Sequence, residues 1–156
     1  MNIIATQFTL NNKAYEVYFS GCSAHPHCKG CHNPESWDFS LGEVYDSYYS
    51  QKIINSIKDF DSLIDNIWLL GGEPLDQNID DLISMVYDLK ETGKKVWLFT
   101  RYELSEVQKI LSKRIEVFDY IKCGAYKSEL TVEDNIQYGV KLATANQYIY
   151  KKDQDY

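Results

Sequence analysis

The chain has 156 residues, 44% hydrophobic and 25% charged, an ordinary balance for a single domain spanning residues 1–156 that needs no disulfide staples. A formal net charge of −7 and a pI near 4.9 argue against a general nucleic-acid binder, which needs a basic face. No apolar run approaches the ~20 residues of a membrane span, and the start at Met1 lacks the basic and apolar regions of a signal peptide, so a cytoplasmic, reducing location with no membrane and no nucleic-acid partner is expected.

Ile3, Ala5 and Phe8, a turn at Asn11-Asn12-Lys13, and then Tyr15, Val17 and Phe19 read as two strands joined tightly. Residues 21–42 mix Gly, Pro, Cys, His and Asn without a period. This predicts a long loop, and the cysteines in it favour a functional one. Residues 46–59 predict a helix with Ile53, Ile54 and Ile57 on one face. A short buried strand, Asn66 to Leu70, runs directly into Gly71-Gly72-Glu73-Pro74. Helical spacing returns at Ile79, Leu82, Ile83, Val86 and Leu89 and stops at Gly93. Then come a strand from Lys95 to Thr100, a helix carrying Leu104, Val107, Ile110 and Leu111, and a strand from Val117 to Lys122 that ends at Cys123-Gly124. The remainder is less periodic, with a turn or short helix expected near Leu130 to Asn135 and an extended segment around Gln147 to Tyr150. Alternating strands and helices imply right-handed crossovers and a mostly parallel sheet of the α/β class. Ligands of such sheets bind at the carboxyl ends of the strands. That rim would carry the cysteine loop, Gly71-Gly72-Glu73-Pro74, Thr100-Arg101-Tyr102 and Cys123-Gly124 together.

Three of the four cysteines, Cys22, Cys28 and Cys31, have the spacing C-x5-C-x2-C. In a reducing compartment they read as metal ligands or reactive thiols. The two intervals reach ~20 Å and ~10 Å when extended, enough for a bent loop to wrap a small cluster. Lys29-Gly30 lets the backbone turn between the last two thiols. Three thiolates can hold three irons of a four-iron cluster and leave one corner for a substrate. The alternative is a structural zinc closed by His25, His27 or His32. Gly71-Gly72 would let a ligand approach the backbone closely, or would be a plain turn. Read alone, His25 and His27 are polar loop residues, Cys123 is a packed small side chain, and Asp76, Asp80 and Asp81 are the solvated start of a helix.

The same residues carry a family resemblance. Cys22, Cys28 and Cys31 followed by Gly71-Gly72-Glu73-Pro74 resemble the radical S-adenosylmethionine superfamily. Ser20-Gly21-Cys22, Cys28-Lys29-Gly30-Cys31-His32-Asn33 with Trp37, Leu75-Asp76-Gln77-Asn78, Val96 to Tyr102 and Asn146-Gln147 are similar to its branch of activating subunits of anaerobic ribonucleoside-triphosphate reductases. The chain departs from the pattern in three places. Two extra residues precede Cys28, Arg101 stands where glycine is usual, and Asn11-Asn12-Lys13 replaces Gly-Pro-Gly.

The resemblance implies a compact partial (β/α) barrel in which Cys22, Cys28 and Cys31 ligate a [4Fe-4S] cluster. The main chain at Gly30, Cys31, His32, Gly71 and Gly72 would then contact S-adenosyl-L-methionine. It implies reductive cleavage of that molecule and a glycyl radical formed on the large catalytic subunit of the reductase, with an electron donor such as a flavodoxin. An activase of another glycyl-radical enzyme, a radical enzyme acting on a small molecule, a cluster-bearing electron carrier and a zinc-stabilised binding module are the other readings.

Overall fold

The computed structural model describes residues 1–156. The chain opens on a hairpin of β1 (Asn2–Thr9) and β2 (Ala14–Phe19). At its turn Lys13 takes a positive φ of 46° and donates its N–H to the Leu10 carbonyl at 3.1 Å. The cysteine loop follows, interrupted by one 3-10 turn at Pro34–Ser36, and ends in β3 (Glu43–Val44), which pairs with β1. The two-residue strand is too short to leave a period in the sequence. Then come α1 (Ser47–Asp59), β4 (Asn66–Gly71), α2 (Ile79–Lys90), β5 (Lys95–Phe99), α3 (Leu104–Leu111), β6 (Tyr120–Cys123), β7 (Ile136–Gln137), β8 (Val140–Lys141) and β9 (Tyr148–Lys151).

The helices start where side chains satisfy their free N–H groups. Asp46 accepts from the Tyr49 N–H at 2.8 Å, Asn78 accepts from Asp80 and Asp81, and Glu103 forms a capping box with Glu106. Gly93, at φ 74°, ends the turn after α2 as the sequence predicts. The expected strand from Val117 begins later, at Tyr120, because Ile115 and Val117 anchor a 3-10 turn to the core. The turn expected near Leu130 is a 3-10 turn at Ser128–Leu130, and the extended segment near Gln147 is β9.

Seven strands form one sheet in the order β3-β1-β2-β4-β5-β6-β9. The β2–β4, β4–β5 and β5–β6 pairings are parallel, while β3–β1, β1–β2 and β6–β9 are antiparallel. The sheet is therefore mixed: only its centre has the expected parallel character. A tight turn can join only antiparallel neighbours, which is why the β1–β2 hairpin departs from it. Its edges β3 and β9 do not meet, so the sheet is open and no closed barrel forms.

Strand alternation gives the sheet two different faces. Val17, Phe19, Ile67, Leu69, Val96, Leu98, Ile121 and Cys123 pack in the main core with Ile53 and Ile57 of α1, Leu82, Val86 and Leu89 of α2, and Val107 and Leu111 of α3. The other face is aromatic. Glu16, Trp68, Trp97 and Tyr120 are successive register partners across it, and Phe99 pairs with Lys122 one step nearer the carboxyl ends. Val140, Leu142 and Ile149 cover part of this second face. No helix is long and apolar enough to cross a membrane.

Leu98 is fully buried at the centre of β5. Leu98→Ala is expected to cost about 2–5 kcal/mol in urea unfolding, whereas Tyr48→Ala, at a position 79% exposed, stays within about 0.5 kcal/mol of the parent.

Candidate functional site

Parallel pairing of β2, β4 and β5 brings their carboxyl ends to one edge, and the backbone stitches the loops together there. Gly72 N–H donates to the Phe19 carbonyl at 2.8 Å, and Glu73 N–H to the Gly21 carbonyl at 2.8 Å. Gly21 and Cys22 donate in turn to the Ser36 and Trp37 carbonyls, at 2.7 and 3.1 Å. Gly71, at φ 112°, lies so close to β2 that an added Cβ would sit 2.6 Å from Phe19 N. A Cβ on Gly72 would collide with the Gly21 carbonyl and lie 2.8 Å from that of Ser36. The two glycines are thus needed first for strand-to-loop contact. They also present bare backbone to the neighbouring cleft.

That cleft holds about 340 Å³. Cys28, Cys31 and His32 line one side, Gly71, Gly72 and Thr100 the strand ends, and Lys122, Tyr126 and Gln147 the far side. Trp68, Leu70 and Phe99 supply an apolar floor. Gly30 turns the chain between the two lining thiols with φ 75°, and Cys31 N–H donates to the Cys28 carbonyl at 3.1 Å. His32 and Tyr126 rings lie 4.7 Å apart, tying the loop to the segment after β6. A larger hollow of about 500 Å³, at the opposite ends of β4 and β5, holds no thiol.

Cys22 stands apart from the cleft wall, half-buried beside Arg101. Burial pushes its thiol up, and the nearby Glu73 and Asp76 add to this, while a hydrogen bond from the Ala24 backbone and the Arg101 charge pull it down. Cys22, Cys28 and Cys31 are all free and partly exposed. No three Cys, His, Asp or Glu side chains meet closely enough to share one ion. Cys123 is buried in the main core, and burial pushes it up to about 12, so it is a packed thiol.

His27 is more than a polar loop residue. Its ring stacks on Trp37 at 4.1 Å and an angle of 8°, and Nε2 lies 3.2 Å from the Cys22 carbonyl. Ring and carbonyl together fold back the long interval between Cys22 and Cys28. His25 makes no comparable contact and precedes a cis bond to Pro26.

The sequence reading of Asp76 as solvated needs correcting. Its carboxylate accepts from Ser23 N–H, Ser23 Oγ and Tyr102 OH, each at 2.7 Å. Burial acts to raise its pKa, but these bonds and the Arg101 charge outweigh it and hold the carboxyl below the usual range. Asp80 and Asp81 do lie in the exposed first turn of α2.

Glu73 is buried deeper still, with 1% of its surface exposed. It accepts from Thr100 Oγ1 at 2.7 Å, Arg101 N–H at 2.8 Å and Leu75 N–H at 3.1 Å. Burial pushes it up to about 7 against those bonds.

Lys122 and Glu16 were not singled out by sequence. Lys122 donates to the Gly124 carbonyl at 2.7 Å and has no carboxylate partner, and burial lowers it to about 8. Glu16 accepts from Thr9 Oγ1 and Tyr18 OH, both at 2.7 Å, and from Gln7. A charged residue inside each buried strand was the signal available. Gln147 holds the end of β6 by accepting from Ala143 N–H at 3.1 Å and donating to the Gly124 carbonyl at 3.4 Å.

Residues 13–148 match the family described as a 4Fe-4S single cluster domain. The chain is 33% identical over 138 residues to the anaerobic ribonucleoside-triphosphate reductase-activating protein of Haemophilus influenzae, covering 86% of this chain and 85% of that protein. Proteins of the same name from Pasteurella multocida and Vibrio cholerae are 29% and 28% identical, each over 86% of this chain and 85% of their own.

Two outcomes follow from the geometry. Gly72→Ala drives a methyl group into the Gly21 carbonyl. It should lower stability by ~1–3 kcal/mol, as overpacking does, and speed protease cleavage within residues 22–33. Glu73 binds its proton more tightly folded (about 7) than at its ordinary 4.5. The folded chain thus holds the extra proton, and this group's contribution to stability falls as pH rises from about 4.5 to about 7. Glu73→Gln removes that contribution, so the change in urea midpoint across the window should be more favourable to high pH than in the parent.

Proposed function

The chain belongs to the 4Fe-4S single cluster domain family and to the family of anaerobic ribonucleoside-triphosphate reductase-activating proteins, and from that premise we propose that it is a radical S-adenosylmethionine activase. The observation that carries the reading is the rim itself. A bent loop carries three free thiols, and two of them, Cys28 and Cys31, face a two-glycine strand end across one cleft. The donor set is soft and partly open to solvent, and the strand end opposite presents glycine backbone to the cleft.

In this reading Cys22, Cys28 and Cys31 would hold the cluster. Main-chain groups at Gly71 and Gly72 take the methionyl amine, and those at Gly30, Cys31 and His32 lie along the cofactor. When bound, a [4Fe-4S] cluster with S-adenosylmethionine would supply the reductive radical chemistry directed at a glycine of the reductase large subunit. Lys122 offers positive N–H donors to an anionic group in the cleft. Trp68, Leu70 and Phe99 keep water from the floor, which suits a reactive species. No side chain is asked to act as general acid or base. An electron donor such as a flavodoxin completes the system.

The mixed sheet supports a protein as the substrate. At the cleft end of its aromatic face, Leu70 and Phe99 are only partly covered by the chain's own C-terminal part. Parallel strands ordinarily have both faces covered. A partner laid over the open side would exclude water and complete the site.

Anaerobic reconstitution with iron and sulfide tests the reading. The protein should take up about four irons, and its absorbance and spin-resonance signal should change when S-adenosylmethionine is added. Cys22→Ala should lose both properties and Cys123→Ala should keep both. A colourless protein holding one zinc would overturn the proposal.

A further inference from the structure

Arg101 draws its neighbours from three loops. Its Nη2 lies 3.4 Å from Asp76 Oδ1 in the loop after β4, 3.3 Å from Ser23 Oγ in the cysteine loop, and 2.7 Å from the hydroxyl of Tyr102. The guanidinium carbon sits 4.1 Å from the Tyr102 ring centroid. Nε is buried without a hydrogen-bond partner, 3.9 Å from Glu73 Oε2. Ser23 directly follows Cys22 and is clamped by Asp76 through both its N–H and its hydroxyl.

The charges at this corner do not balance without Arg101. Asp76 is a nearly inaccessible carboxylate, Glu73 is a buried carboxyl beside it, and Arg101 is the cation that acts with them on the Cys22 thiol. A thiolate joined to a reducible metal group adds more negative charge to the same place. Local charge and hydrogen bonding at the sulfurs are what set the potential of an iron–sulfur centre.

We propose that Arg101 is a positioning residue that balances Asp76 beside Cys22, and so lets this corner hold a cluster and accept an electron at a less negative potential. The inference rests on the reading of Cys22 as a cluster ligand. Removing the guanidinium leaves the Asp76 carboxylate, bonded to the residue next to Cys22, with no counter-charge, which disfavours the reduced, more negative centre. Removing that carboxylate as well restores the balance. A residue that merely filled space would show no such restoration.

The test is a mediated redox titration of the anaerobically reconstituted full chain, followed by spin resonance, with iron per chain measured after gel filtration. Arg101→Met should shift the midpoint to a more negative value and retain less iron. Arg101→Lys should return the midpoint toward the parent's, because the charge is kept. The double variant Arg101→Met with Asp76→Asn should also return it, or, if Arg101→Met loses its cluster, should recover iron. An unchanged midpoint in Arg101→Met, or a double variant displaced further than the single one, overturns the inference. If the parent protein itself takes up no cluster, the proposed function fails and takes this inference with it. If the parent is loaded and binds S-adenosylmethionine, only the role of Arg101 is at stake.

Discussion

Glu73 has almost no access to water, yet it lies outside every regular helix and strand except as the cap of a 3-10 turn. Its two oxygens accept from Leu75, Thr100 and Arg101, joining the loop after β4 to the end of β5. Its own N–H is given to Gly21, at the end of β2. One residue therefore ties three strand ends, and the cysteine loop starts from the first of them. A buried carboxylate is tolerated only where donors surround it. The need to satisfy it holds the rim in one arrangement, and Asp76 repeats the device one turn later toward Ser23 and Tyr102.

The rim matters because of what lies beneath it. One face of the sheet is closed by three helices over an aliphatic core. The other carries Trp68, Phe99, Glu16 and Lys122 under a cover formed only by the C-terminal part of the chain. A charged group inside a strand costs stability unless a partner or ligand meets it. Glu16 has its partners within the hairpin, whereas Lys122 has only the Gly124 carbonyl. The asymmetry places unfilled binding capacity at the cleft end of the sheet, beside Cys28 and Cys31, while toward the opposite end Trp97 stacks on Tyr120 at 4.0 Å.

Much of this was legible beforehand. Helices with three to five apolar positions on one face announced themselves, as did the glycine stop after α2 and the strand running into Gly71-Gly72. The tight turn between Cys28 and Cys31 also followed from local spacing. What misled was burial. Asp76 sits next to residues that do begin a helix, and nothing in its neighbours distinguishes a capping carboxylate from one clamped by Ser23, far away in the chain. Likewise β3 is two residues long, and Val117 is apolar in a 3-10 turn just as it would be in a strand.

Chain order and residue type alone were enough to name the α/β class, the run of helices and central strands, the three thiols and the two glycines, because each is written in spacing over a few residues. Folding in three dimensions settled which carboxylates are dry, that Cys22 keeps company with Arg101 while Cys28 and Cys31 line the cleft, and that the sheet is mixed and open. Those outcomes depend on contacts between segments dozens of residues apart, where burial and hydrogen-bond satisfaction decide, and no local pattern records them.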